Sequence, residues 1–222
     1  MKAGYAIEKG TTEFLMAAEL MNEQATRDAV VTIEWEFIPS IPADFKRAAL
    51  IWLDVDGACL PRGGEVPIPD GAKAFTLEMN PPWTAQLSGD ILQMASHMHD
   101  GGDELLVLRN NNVACTGKAR YGEKPGYVSS GDHSGHMGGG EGGGGGHHEG
   151  HGGFSLPITK RHEDTPHVSS ISSCFNNGRV EIGDKWHVKA NYNLTRYGPL
   201  TMGGHAEPVM GITLMYVALD TK

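Results

Sequence analysis

Trp186, Val188, Ala190 and Tyr192 alternate one for one with His187, Lys189 and Asn191. Successive side chains on a β-strand point to opposite faces, so residues 185–194 read as a strand with one apolar and one polar side. The same logic marks residues 30–38, where Val31, Ile33, Trp35 and Phe37 oppose Thr32, Glu34 and Glu36 in a half-buried strand. Further strands are predicted over 47–55, 72–79, 87–99, 104–109, 167–175 and 210–219, divided by Pro, Gly and Asp clusters such as 39–42 and 67–71. Asn110, Asn111 and Asn112 predict a hairpin turn, since Asn tolerates the left-handed backbone. Helix is scarce, and the single candidate, residues 12–22, reads equally well as an edge strand. Many short strands joined by turn-rich loops predict an all-β fold, an antiparallel β-sandwich of jelly-roll type. Trp35, Trp52, Trp83 and Trp186 are expected to pack in the core or on a sheet rather than to form a sugar platform.

Residues 129–153 break this pattern. The tract is rich in Gly and holds His133, His136, His147, His148 and His151, with almost nothing apolar to offset its ordering entropy. It is expected to be a disordered insert between strands. Its histidines are either a secondary metal-capture tract for copper, nickel or zinc or a tolerated loop expansion. The organisation expected is an N-terminal segment, residues 1–29, truncated from a longer precursor, followed by one β-sandwich domain over 30–222.

The length of 222 residues and a 39% hydrophobic content are enough for a real core. The net charge of −9, without clustered Lys and Arg, argues against nucleic acid as a partner. No apolar run is long enough to span a membrane, and residues 1–9 lack the apolar centre of a signal peptide. Asn193-Leu194-Thr195 is a glycosylation sequon, a pattern that also arises by chance. Cys59, Cys115 and Cys174 allow one disulfide with one thiol over. Sequon and cysteines together favour a secreted protein whose leader lies upstream of this chain. Oligomeric state has no signature here.

The chemistry centres on His97 and His99. On a strand, His-x-His sets two imidazoles side by side and aims Met98 the opposite way. Such a pair can grip one metal ion, or can be two polar surface histidines. Asp100-Gly101-Gly102 follows at once, a turn that leaves strand-end histidines within reach of a metal and of solvent. No Ser/His/Asp triad, phosphate-binding loop or carboxylate pair competes with this feature.

His97-Met98-His99-Asp100-Gly101-Gly102, Val113-Ala114-Cys115, Ser173-Cys174 and Val209-Met210-Gly211 together resemble the second domain of the copper type II, ascorbate-dependent monooxygenases, the family of peptidylglycine α-hydroxylating monooxygenase. The pattern is closer still to single-domain fungal relatives and to plant stress-up-regulated nodulin-like proteins, and it spans roughly residues 30 to 219. The resemblance implies a mononuclear His2Met copper site of His97, His99 and Met210. Imidazole suits both copper oxidation states, and a soft thioether favours Cu(I). His205 is the rival third ligand and Met202 a weaker one. Ascorbate would be the reductant, and dioxygen or a small molecule the partner. Within the same frame Cys115 and Cys174 are expected to form a disulfide, leaving Cys59 unpaired or bonded elsewhere.

The pattern also departs from the family. The upstream domain that holds a second copper has no counterpart in this chain. The positions that clamp a peptide carboxylate in peptidylglycine hydroxylase are Ala95, Ile212 and Leu214 here, all apolar, so peptide α-hydroxylation is not expected. Three functions follow. The first is a secreted copper-binding protein in copper capture, buffering or stress response. The second is a single-copper oxidoreductase acting on an apolar substrate. The third is a metal-free jelly-roll domain for adhesion or carbohydrate binding.

Overall fold

The computed structural model of the chain describes residues 1–16, 28, 30–57, 64–123, 128–129, 165–202 and 205–220. Its strands in chain order begin with β1 (Ala3–Gly4), β2 (Lys46–Asp54), β3 (Ala74–Glu78), β4 (Trp83–Thr84) and β5 (Gly89–Met98). Next come β6 (Gly102–Arg109), β7 (Asn112–Tyr121), β8 (Val128–Ser129), β9 (Thr165–Pro166), β10 (Val168–Ile171) and β11 (Cys174–Phe175). The last five are β12 (Arg179–Val180), β13 (Lys185–Asn193), β14 (Thr201–Met202), β15 (His205–Ala206) and β16 (Gly211–Leu219). Among the described residues there is no helix.

Two six-stranded sheets form the body, one ordered β1-β2-β16-β5-β11 with β12 on β5, the other β10-β7-β6-β13-β3 with β4 on β13. Their long pairings are antiparallel, so the architecture is the expected all-β sandwich. The predicted Asn turn is present, with Asn110 and Asn111 at positive φ between β6 and β7. Trp186, Val188, Ala190 and Tyr192 on β13 are all buried, as the alternation predicts. They meet Ile51, Leu53, Met94, Met98, Met215 and Val217 of the facing sheet. Gly211 is required by this close approach, because a Cβ there would lie 2.6 Å from Cβ of Ala190.

Cys115 and Cys174 are disulfide-bonded, with Cα atoms 6.0 Å apart. The bond ties β7 of one sheet to β11 of the other, and Cys115 sits in the core.

The strand predicted over 30–38 does not form. These residues lie outside any strand and are exposed throughout, Trp35 by 59% and Phe37 by 72%. Alternation supplies one face for burial but no neighbour to bury it against, and strand propensity without a partner does not make a strand. Trp35 instead touches Phe14, itself exposed, at 4.7 Å between ring centroids. Trp52 lies on a sheet, half-exposed on the outer face of β2 with its Nε1 donating to Asp54 at 3.1 Å. Residues 12–16 belong to no helix or strand. Residues 17–22, Cys59 and the Gly/His-rich insert from 130 onward, with His133, His136, His147, His148 and His151, lie outside the described residues.

Candidate metal centre

His97 is the penultimate residue of β5 and His99 lies one residue past its end. Met98 between them is buried in the core, so both imidazoles share the outer face, with His97 exposed and His99 half-buried. Their ring centroids are 5.4 Å apart and their planes nearly perpendicular at 89°. The turn that follows requires glycine, because Gly101 has φ +90° and a Cβ there would meet Leu194 Cδ2 at 2.4 Å. Asp100, almost fully buried, accepts the Val168 amide at 2.7 Å and pairs closely with His167 Nδ1. Tyr121 closes the turn by donating its hydroxyl to the Gly102 carbonyl at 2.6 Å.

Met210 comes to this place through register. In the β5–β16 ladder Gly211 pairs with Met98 and Ile212 with His97, so the next step backward sets Met210 opposite His99. Alternation then puts Met210 on the outer face with both histidines. The segment 208–211 is held at every carbonyl. The oxygen of Pro208 meets Nδ1 of His99 at 2.7 Å, and that of Val209 accepts the Val66 amide at 2.8 Å. The oxygen of Met210 accepts the Tyr192 hydroxyl at 2.5 Å, and that of Gly211 accepts the Val55 amide at 3.0 Å.

The contact at Pro208 has a chemical consequence. A carbonyl oxygen only accepts, so Nδ1 of His99 is the donor in this contact, and in the neutral ring that tautomer places the lone pair on Nε2. Outer-shell hydrogen bonds of this kind orient metal-ligating imidazoles. The donor set of two imidazoles and a thioether therefore fits a soft-to-borderline ion such as copper.

The rival histidine stands apart. His205 is exposed on the small β14–β15 ribbon, where it is the register partner of Met202. Among the described residues no three His, Cys, Asp or Glu side chains group as a metal site, so His205 does not join His97 and His99 in this structure. Asn193 ends β13 half-buried, its side-chain oxygen accepting the Thr195 hydroxyl at 2.6 Å and the Thr195 amide at 3.2 Å.

Tyr192 is the site residue that sequence reasoning missed. It was visible as the last inward residue of the alternating β13 strand, but its hydroxyl partners come from β5 and the 208–211 segment. Burial pushes its pKa well above the ordinary phenol value, so the hydroxyl stays protonated as a donor.

No protein-family model and no solved structure matches the chain. The probable copper-dependent oxygenase M1 of Phoma sp. is 27% identical over 222 residues, covering 99% of this chain and 47% of its own length. The probable copper-dependent oxygenase clz3 of Cochliobolus lunatus is also 27% identical over 222 residues, covering 99% of this chain and 59% of its own length. The chain thus spans about half the length of the curated relatives it matches.

Proposed function

We propose that this chain is a copper-binding protein of oxygenase type in which His97, His99 and Met210 hold one copper ion. The observation that carries the reading is the contact of His99 Nδ1 with the Pro208 carbonyl. It leaves Nε2 free to ligate and ties the histidine strand to the Met210 segment. The names of the two fungal relatives, which match essentially the whole chain, support copper over other ions. Copper held by these residues would supply one-electron redox chemistry, with ascorbate as the reductant.

The surroundings favour an apolar substrate. Leu214 pairs with Ala95 across β5 and β16, and these two half-buried apolar residues flank the exposed imidazole of His97 on its own face, while its register partner Ile212 is almost fully buried. Leu214 also pairs with Trp52 on β2, which extends the apolar row outward. No cation is among these residues to clamp a carboxylate. Secretion and glycosylation at Asn193 belong to the same proposal, and an endoglycosidase mass shift on protein from the native source checks them.

Copper K-edge absorption on the reconstituted protein tests the site. One copper per chain is expected, with a sulfur scatterer in the reduced protein that disappears in Met210→Ala. A spectrum unchanged by that substitution removes Met210, and then His205→Ala identifies or eliminates its rival. Ascorbate-dependent dioxygen consumption that is lost in His97→Ala supports turnover. Copper binding without such consumption would point to copper capture instead.

A further inference from the structure

Met210 lies outside β16 and His99 outside β5, so neither backbone is fixed there by the ladder between the two strands. Besides the His99–Pro208 contact, a side chain from elsewhere bridges the two backbones directly. The Tyr192 hydroxyl accepts the His99 amide at 3.2 Å and donates to the Met210 carbonyl at 2.5 Å. It arrives from the opposite sheet, at the inward end of β13, and is 2% exposed. Its ring stacks on Phe75 at 5.2 Å with the planes 5° apart, and Phe75 is its register partner on β3. Two-point hydrogen bonding and a packed ring leave the hydroxyl little freedom, so the far sheet adds a fixed point of its own to the contacts that Pro208, Val66 and Val55 make along the same segment.

We infer that Tyr192 is a positioning residue that fixes the Met210 backbone beside that of His99 and thereby strengthens the preference of this chain for Cu(I) over Cu(II). The inference rests on the copper reading above. Its physical basis is the difference between the ligands. The two imidazoles serve both oxidation states and share one strand, whereas the thioether selectively favours Cu(I) and depends on a separate segment. Releasing the Met210 carbonyl costs the ligand that discriminates and spares the two that do not. Sequence spacing could not show this, because Tyr192 is 93 residues from His99 and 18 from Met210.

The test is Tyr192→Phe, which removes the hydroxyl and keeps the ring. Cu(I) affinity is measured by competition with bicinchoninate, and Cu(II) affinity by competition with nitrilotriacetate. Cu(I) binding is expected to weaken by about tenfold or more, the scale of outer-shell ligand support, with Cu(II) binding changed much less. The sulfur scatterer of the reduced protein should weaken in parallel. Equal losses in both oxidation states, or no loss in either, overturn the inference while leaving the copper site standing. A wild-type protein that binds no copper overturns the copper reading and this inference together. A measurement on the wild type alone keeps the idea exposed if the variant fails to fold. The His99 amide should exchange slowly with deuterium, because its acceptor is the buried Tyr192 hydroxyl, and fast exchange there overturns the bridge.

Discussion

At the scale of single residues, position on a face governs what each histidine does. His97 and His99 point outward from the end of β5, His97 exposed and His99 half-buried. His187 has a polar position in the alternating β13 pattern, yet it is only 3% exposed. Its Nδ1 has no hydrogen-bond partner, while Nε2 lies 3.4 Å from Glu78. Burial lowers its pKa from the ordinary 6.5, with Glu78 opposing the shift. The folded state therefore binds fewer protons than the unfolded state once the pH falls below that ordinary value, and stability is lost in that direction. Above it both states are neutral and the effect vanishes. The expected outcome is that His187→Leu shows a shallower loss of denaturation midpoint than wild type between about pH 7 and about pH 5, read by urea titration.

Among the elements, the two alternating segments had opposite fates. Residues 185–193 and 30–38 carry comparable patterns, and Trp186 and Trp35 occupy equivalent apolar positions within them. β13 has β6 on one side and β3 on the other, so its inward face closes against the second sheet. Among the described residues no strand lies beside 30–38, and their apolar side chains are largely exposed. Trp186→Ala is accordingly expected to cost about 3–5 kcal/mol by emptying a core site. Trp35→Ala should fall within about 1 kcal/mol of wild type, since little of it is packed. Chemical denaturation of the two variants side by side checks the contrast. A large loss at Trp35 would mean that residues 30–38 are buried in solution. The glycine positions belong to this scale as well. Gly101 was legible as a turn residue from its place after His99, whereas the need for Gly211 came from the approach of β13 and could not be read from its neighbours in sequence.

For the molecule as a whole, the Cys115–Cys174 bond joins the two sheets across a sequence separation of 59 residues. Closing a loop of that size is worth about 4 kcal/mol on the chain-entropy account. Reduction should therefore lower the melting temperature by roughly 10 °C, which calorimetry with and without dithiothreitol would register. A Cys115→Ser, Cys174→Ser variant should match the reduced protein, and a melting point indifferent to both treatments would assign the cross-link no stabilising role. The all-β class, the hairpin at Asn110 and Asn111, the inward face of β13 and the shared face of His97 and His99 were all legible along the chain. Each depends on a period of two residues or on a local backbone preference, and such rules operate within a few neighbouring positions. The burial of His187, the exposure of Trp35, the placing of Met210 beside His99 and the bridge at Tyr192 were not legible in that way. They depend on which strands lie next to each other and in what register. That pairing is a property of long-range contacts, and no local pattern along the chain encodes it.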